Sequence, residues 1–481
     1  MKSKNKSILK IMGGEKVGVT AQLVEFAINT PSGFLTPPLL RSVTEKFLDT
    51  VGIMIAGAHS QASRIAIQTV IEAGGAPDAT IIGTRERNSV MHAGFVNGIS
   101  AHALEYDDNT PDVGHVSACM VPGCLALAEK LDLSGLKVAE AFALGYEVAG
   151  RISVGLKPAM FDRGWHSPGL IGGLGVTVAA CRLMGLDALQ TRMAVGLMAS
   201  SGTGIRKNVG SAGKAFHIGN GVRSGLMAAQ LAKNGYSVDP DVIEGSAAAG
   251  EGHQRFGIAD TFSGKGGYSL ERMVEGLGGE FVLTANPTRV RMHPGATITG
   301  PAIDGIIELA VKHDLHAADV QELKVECNPL MLVIASYTAP VDAYRAKFCP
   351  PYTFAVALID RQVGVAQYTD ERIRDRAVLD FMPCVKVIAR EDLGNARGAK
   401  GAYGGVDITI TLKDGRVLKQ HFATAKGWPG HAATWEDLLG KYEECAAGIL
   451  SQPQLRASTD MIADLAGLAS VRALMGNLVP G

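Results

Sequence analysis

What most constrains the fold of this chain is a change of period along it. Over about the first 280 residues apolar side chains recur at helical spacing and strand signals are almost absent, whereas beyond residue 281 alternation appears. Thr36-Pro37-Pro38 supplies an N-cap and a Pro-tolerant first turn. Val43, Phe47, Val51 and Ile55 then repeat every four residues and lay one apolar stripe along a helix. Similar stretches predict helices at about 88–104, 118–131, 136–156, 167–183, 187–201 and 218–234. Ser134-Gly135 precedes one of these and Gly185 follows another, as helix punctuation requires.

In the second regime a helical run from Pro301 to His313 leads into Asp319–Pro329, where Leu323, Val325 and Cys327 alternate as in a half-buried strand. Val406–Leu412 and Val417–Phe422 flank Lys413-Asp414-Gly415-Arg416, and Asp-Gly between alternating runs predicts a hairpin. Trp435–Leu478 returns to helical patterning through Leu438, Leu439 and Tyr442, then Ile462, Leu465 and Leu468. The economical reading is a mainly α protein. A disordered segment 1–17 precedes an all-helical domain built from 18–281 and 428–481, and an α+β domain is inserted at 282–427. No internal repeat is visible.

Composition narrows the function. Lys plus Arg number 46 and Asp plus Glu 47, so the net charge of −1 leaves no basic excess for nucleic acid or an anionic membrane, and a small molecule is the expected partner. The run Ile8–Met12 is short and interrupted by Lys10, which suits neither a signal peptide nor a span, so a cytoplasmic location is expected. The 7 cysteines form no C-x-x-C and no grouping with His, and read as reduced, mostly buried thiols. With 59 glycines and charged residues at only 19%, helices and loops are expected to approach one another closely, and glycines at 164–175 and 202–225 are read as loops that bring backbone amides up to a ligand.

Familiar nucleotide motifs are absent. Gly210–Lys214 fails the phosphate-loop pattern because Asn208 stands where the first glycine belongs and Ala215 follows Lys214. Glycines 169, 172, 173 and 175 lack a preceding strand, so helix packing explains them better than a dinucleotide fingerprint.

Four segments concentrate polar chemistry in apolar surroundings. His102–Asn109, with His115, places three carboxylates and two imidazoles within 14 positions. Such a set suits acid/base work or a divalent metal, and equally helix capping and solvated charge. Asp162–Pro168 sets His166 beside Trp165 at a helix start, where anions bind; a lone His is also commonly structural. Gly204–Asn220 packs Arg206, Lys207, Lys214 and His217 into a Gly-rich loop opening a helix, a carboxylate or phosphate site unless it is simply a solvated loop. Arg289–Pro294, with Arg291 and His293, lies where body and insertion join, a natural cleft. Tyr352, after Cys349-Pro350-Pro351, reads on its own as core packing.

In these segments the chain resembles the MmgE/PrpD family. The likeness runs over about 18–450 and is carried by Leu48–Gly52, Asp107-Asp108 through His115, Gly145–Val148, Gly164–His166 and Lys214–Asn220. The resemblance implies a helical domain with an inserted α+β lid, a homodimer, and metal- and cofactor-free chemistry on small di- and tricarboxylates between the two domains. It matches Glu105, His115, His166 and Lys214 to the family's catalytic residues and Arg291 and Tyr352 to residues of its lid; the reading of the segments themselves adds Asp108 as catalytic and Arg206, Asn109, His217 and His293, with Arg291 and Tyr352, as substrate-binding. The decarboxylases of the family often carry Asp where this chain has Glu105, commonly Thr at Asn109, and a His at the position of Ala296.

The family's reactions, which include 2-methylcitrate dehydration, cis-aconitate decarboxylation and iminodisuccinate epimerisation, share negative charge at a carbon beside a carboxylate. The expectation is therefore a metal-independent hydro-lyase on a citrate-like acid, with Lys214, Arg291 and Arg206 as a carboxylate clamp. His115 and His166 would divide base and acid roles, with Glu105 or Asp108 orienting one imidazole. An epimerase, a decarboxylase and, more remotely, a non-catalytic ligand-binding protein are the alternatives.

Overall fold

The computed structural model describes residues 17–202, 204–247, 254–286, 288–393 and 405–481, so 1–16 of the expected disordered segment lie outside the described residues. The elements that position the site are, in the body, α1 (Pro37–Gly57), α2 (Val90–Ala103), α3 (Ser117–Leu131), α4 (Gly135–Leu156), α5 (Ser167–Met184) and α6 (Gly213–Lys233). The insertion contributes α7 (Gly300–Lys312), β1 (Val320–Cys327), α8 (Pro350–Asp360), β2 (Val385–Ala389), β3 (Val406–Leu412) and β4 (Val417–Phe422), and α9 (Trp435–Ala446) returns to the body. The fold is mainly α with an inserted α+β part, as the change of period predicts.

Two separate apolar cores carry it. One joins Val19 through Leu283 to Leu438 through Leu478, so the tail packs back on the first 280 residues; the other runs from Ala296 to Leu412. In the body α6 packs on α2 and α5, and α5 packs on α3 and α4. Glycine makes these crossings tight: a methyl added to Gly221 would stand 2.3 Å from the Gly169 carbonyl oxygen, and one on Gly98 would meet the Gly219 backbone at 3.0 Å. The glycines at 169–175 and 219–225 are therefore inside α5 and α6 at helix contacts. The reading that made them ligand-facing loops is corrected, because close backbone approach between helices needs the missing Cβ as much as a loop does. The helix expected from 218 also starts earlier, at Gly213, which puts Lys214 and His217 on its first turns.

The insertion holds a four-stranded sheet in the order β2-β1-β3-β4, with β1 and β2 parallel and the other pairs antiparallel. Val406, Ile408, Ile410 and Leu412 of β3 all point inward, so the period of two buries one face under α7. The Asp-Gly turn closes the hairpin as expected. Gly415 takes φ +91°, and the Leu412 amide donates to the Arg416 carbonyl at 2.9 Å.

Candidate active site

Three helix N-termini converge on one buried point. His115 stands two residues before α3, His166 is the N-cap residue of α5, and Lys214 is the second residue of α6. Each start directs the positive end of a helix dipole at the same region, which favours anions and disfavours protonated imidazole. The rings bear out the convergence: His102 lies 4.9 Å from His115 and 6.3 Å from His166 between centroids, and His217 Nδ1 is 3.0 Å from His166 Nδ1.

The opposing charges come from the loop after α2. The chain reverses at Glu105, which adopts φ +53°, a conformation unusual for a residue with a side chain. Beyond that reversal Glu105 and Asp107 face the imidazoles, while Asp108 turns away to pair with Lys46 and to accept from Ser117 Oγ at 3.0 Å. Asp107 is fully buried. Its Oδ2 accepts from His102 Nδ1 at 2.8 Å and stands 2.9 Å from His115 Nδ1, which also lies 2.8 Å from the Asp108 carbonyl oxygen, and its Oδ1 accepts from Arg291 Nη2 at 2.7 Å. The orienting carboxylate is thus Asp107, where Glu105 or Asp108 was expected.

Glu105 is the centre of the cationic side. Its Oε2 receives both Lys214 Nζ and Arg291 Nη1, the latter at 3.0 Å, and its Oε1 receives the Tyr344 hydroxyl at 3.0 Å. Arg291 is further fixed by donating to the carbonyls of Asp107 at 2.6 Å and Gly295 at 2.8 Å. The returning helix α9 locks the arrangement from below. Lys441 donates to Asp49 at 2.6 Å and to the carbonyls of Tyr106 and Arg291 at 2.8 Å each, tying the acidic loop to the join of body and insertion.

Burial and charge set the protonation states. Burial would raise both carboxylates, but Lys214, His102 and Arg291 hold Glu105 well below the usual range, and His102, His115 and Arg291 do the same for Asp107. Burial pushes His115 down to about 4 despite Asp107 beside it, with Arg291 and Lys214 adding to the effect. His166 is lowered well below its ordinary value by burial, then by Lys214 and the neighbouring imidazoles, and His217 is lowered by burial and by His102 and Lys214. Lys214 is lowered by burial, against the pull of Glu105. The result at neutral pH is that His115, His166 and His217 stand uncharged beside ionised carboxylates and cations.

By residue type His102, Asp107 and His115 suit a divalent metal, and their donor atoms lie within 4.8 Å of one another. Yet the nitrogen–oxygen separations of 2.8 and 2.9 Å are hydrogen-bond lengths, and Arg291 Nη2 stands 3.3 Å from His115 Nδ1. Ligand atoms about 2.1 Å from an ion sit farther apart than that, and a guanidinium repels a cation. The donor set fits a proton-linked trio.

Other expected residues lie elsewhere. Arg206 is exposed, with its guanidinium 3.8 Å over the Phe161 ring, so it does not join the clamp. Tyr352 is buried in the core of the insertion and donates to the Gln367 carbonyl; Tyr344 is the insertion tyrosine that reaches the cluster. His293 bonds the Val363 carbonyl at 2.9 Å and Asp304 at 2.7 Å. Asn109 contributes its backbone, exchanging bonds of 2.9 and 2.8 Å with Arg289, and so anchors the acidic loop. Ala296 is buried in the core of the insertion. Three members escaped the sequence reading. His102 and Asp107 stood inside a segment already singled out, and Tyr344 with Lys347 forms a polar pair just ahead of Cys349-Pro350-Pro351.

Comparison with known proteins agrees along the length of the chain. The MmgE/PrpD N-terminal domain model matches residues 21–260 and the MmgE/PrpD C-terminal domain model matches 293–466. Among curated relatives, the cis-aconitate decarboxylase of Homo sapiens is 24% identical over 453 residues, covering 92% of this chain and 90% of that protein. The cis-aconitate decarboxylase-like protein oryM of Aspergillus oryzae is 24% identical over 489 residues, covering 95% and 96%. The cis-aconitate decarboxylase of Aspergillus terreus is 22% identical over 482 residues, covering 96% of each. With both family domains matched in order around the same body and insertion, the chain belongs to the MmgE/PrpD family.

Proposed function

We propose that the protein is a lyase that makes or discharges negative charge at a carbon beside a carboxylate of a small di- or tricarboxylate, and that its reaction is loss of water from a citrate-like hydroxy acid. The observation that carries this reading is the Asp107–His115 pair. With Nδ1–H facing the Asp108 carbonyl, which can only accept, and the Asp107 carboxylate beside it, the neutral imidazole presents the lone pair of Nε2, the form a general base needs.

The second requirement is an acid. His166 and His217 face one another through Nδ1, so one ring donates and the other accepts. Whichever accepts carries its proton on Nε2, which leaves the pair a donor to offer. In dehydration His115 Nε2 takes the proton α to a carboxylate, the released electron pair forms the carbon–carbon double bond, and the hydroxyl leaves as water with the Nε2 proton of the His166–His217 pair, borne by His166 when His217 donates to it. Lys214 and Arg291, held in place by Glu105, stand beside the imidazoles to neutralise the carboxylate whose carbon bears the developing charge.

The relatives favour a second reading within the same class, decarboxylation of a cis-aconitate-type acid, in which the electron pair left by carbon dioxide is protonated by the same imidazoles. Incubation with 2-methylcitrate, citrate and cis-aconitate in deuterated water, followed by NMR, separates them. Water loss supports the first reading and release of carbon dioxide the second. Deuterium entry with inversion and neither loss would make the protein an epimerase, and absence of both turnover and exchange on every acid would refute the enzyme reading.

A further inference from the structure

Several buried cations of the site region are matched by carboxylates. Lys46 pairs with Asp108, Arg151 with Glu147, Lys214 and Arg291 with Glu105, and Lys441 with Asp49. Lys347 is equally buried, at 7% exposure, and has no carboxylate oxygen within ion-pair distance among the described residues. Its ammonium makes a single hydrogen bond, 3.5 Å long, to the carbonyl of Ala103. Three donors with one weak acceptor leave capacity for a carboxylate, and a buried ammonium without one is costly to keep.

Ala103 is two residues before Glu105, and Tyr344 stands between the two places: its hydroxyl reaches Glu105 Oε1 at 3.0 Å while its ring centroid lies 6.0 Å from Lys347 Nζ. The Tyr368 ring centroid also lies 6.0 Å from the ammonium. The backbone is fixed as well, since the Lys347 amide donates to the Tyr344 carbonyl at 3.2 Å and the Lys347 carbonyl accepts from Ala296 at 3.2 Å. The side chain is thus held by the insertion, against the acidic loop of the body.

We propose that Lys347 is a substrate-binding residue whose ammonium receives a second carboxylate of a small di- or tricarboxylate, at a point distinct from the carboxylate place formed by Lys214, Arg291 and Tyr344. This rests on the function proposed above and narrows it to acids with at least two carboxylates, one for each place. Burial pushes the Lys347 ammonium down to about 8, and an arriving carboxylate restores the charged form by supplying the missing partner.

The test uses tricarballylate, an inert tricarboxylate, with the full-length protein. Calorimetric titration of K347M is expected to show binding weaker than wild type by roughly tenfold or more, the worth of a charged hydrogen bond. The melting temperature of unliganded K347M should not fall, because the substitution removes an uncompensated charge and keeps the stem. K347R should bind within a few-fold of wild type. If wild type binds tricarballylate and K347M binds it within twofold, the role of Lys347 is overturned while the carboxylate reading stands. If wild type binds neither tricarballylate nor any other di- or tricarboxylate, the proposed function falls, and this inference with it. Should K347M not fold, a crystal of the wild type with tricarballylate decides: a carboxylate oxygen about 3 Å from Lys347 Nζ supports the assignment, and a ligand seated elsewhere overturns it.

Discussion

Asp107→Asn is the substitution whose consequences the structure defines most closely. The carboxylate accepts from His102 Nδ1 on one oxygen, which also lies 2.9 Å from His115 Nδ1, and from Arg291 Nη2 on the other, with no exposure to solvent. Asparagine keeps the shape but turns one oxygen into a donor. With its amide nitrogen toward Arg291, two donors oppose each other. With the nitrogen toward the imidazoles, its N–H opposes the Nδ1–H groups of both rings, and His115 keeps the Asp108 carbonyl as acceptor but loses the anion that strengthens it as a base. Either arrangement also leaves Arg291 with Glu105 as its remaining acidic partner. Breaking a buried pair from one side costs about 3–5 kcal/mol, read as a fall in unfolding free energy from urea titration. Loss of a positioned base lowers kcat/KM by about 10²–10⁴-fold on the acid that wild type turns over. Asp108→Asn is the contrast. It breaks the ion pair with Lys46 and destabilises, yet leaves the imidazole tautomers alone, so its kcat/KM should fall far less. If D107N keeps kcat/KM within fivefold of wild type, or if D108N is the more damaging of the two, the assignment of Asp107 as the orienting carboxylate is wrong.

Other outcomes follow from the same geometry. Because burial lowers His115 from 6.5 to about 4, the unfolded chain binds more protons between those values, so stability is full above pH 6.5 and declines as pH falls toward 4. This ring alone accounts for roughly 3 kcal/mol, and denaturant titrations at pH 7 and pH 4.5 that show no decline would contradict it. Removing the Tyr344 hydroxyl in Y344F takes one charged hydrogen bond from Glu105 and should reduce kcat/KM about tenfold or more, whereas Y352F, which touches the Gln367 carbonyl inside the insertion, should change stability by about 1 kcal/mol and kcat/KM little. R206A is expected to stay within twofold of wild type in kcat/KM, since the side chain lies on Phe161 at the surface. Prolonged treatment with a chelator should leave the rate unchanged; loss of activity restored by one added metal ion would recast His102, Asp107 and His115 as ligands.

What the sequence determined by itself is what short-range physics decides. Helix stripes, a Pro-bearing first turn at α1 and an Asp-Gly hairpin are recorded within a few residues, because a period of 3.6 or 2 and a positive φ at Gly415 act locally. His115, His166 and Lys214 were legible for the same reason, each standing at a helix start flanked by glycine or proline. The choice between neighbours was not. Asp107 faces the imidazoles and Asp108 faces Lys46 because the backbone reverses at Glu105, and that reversal is held in place by Arg291 and by Lys441, 150 residues farther on. Tyr344 rather than Tyr352 reaches the cluster because the docking of the insertion, not the spacing of its residues, sets which side chain crosses the cleft. Long-range packing therefore decided the partners, since a side chain's direction depends on the backbone beneath it and on what stands across from it.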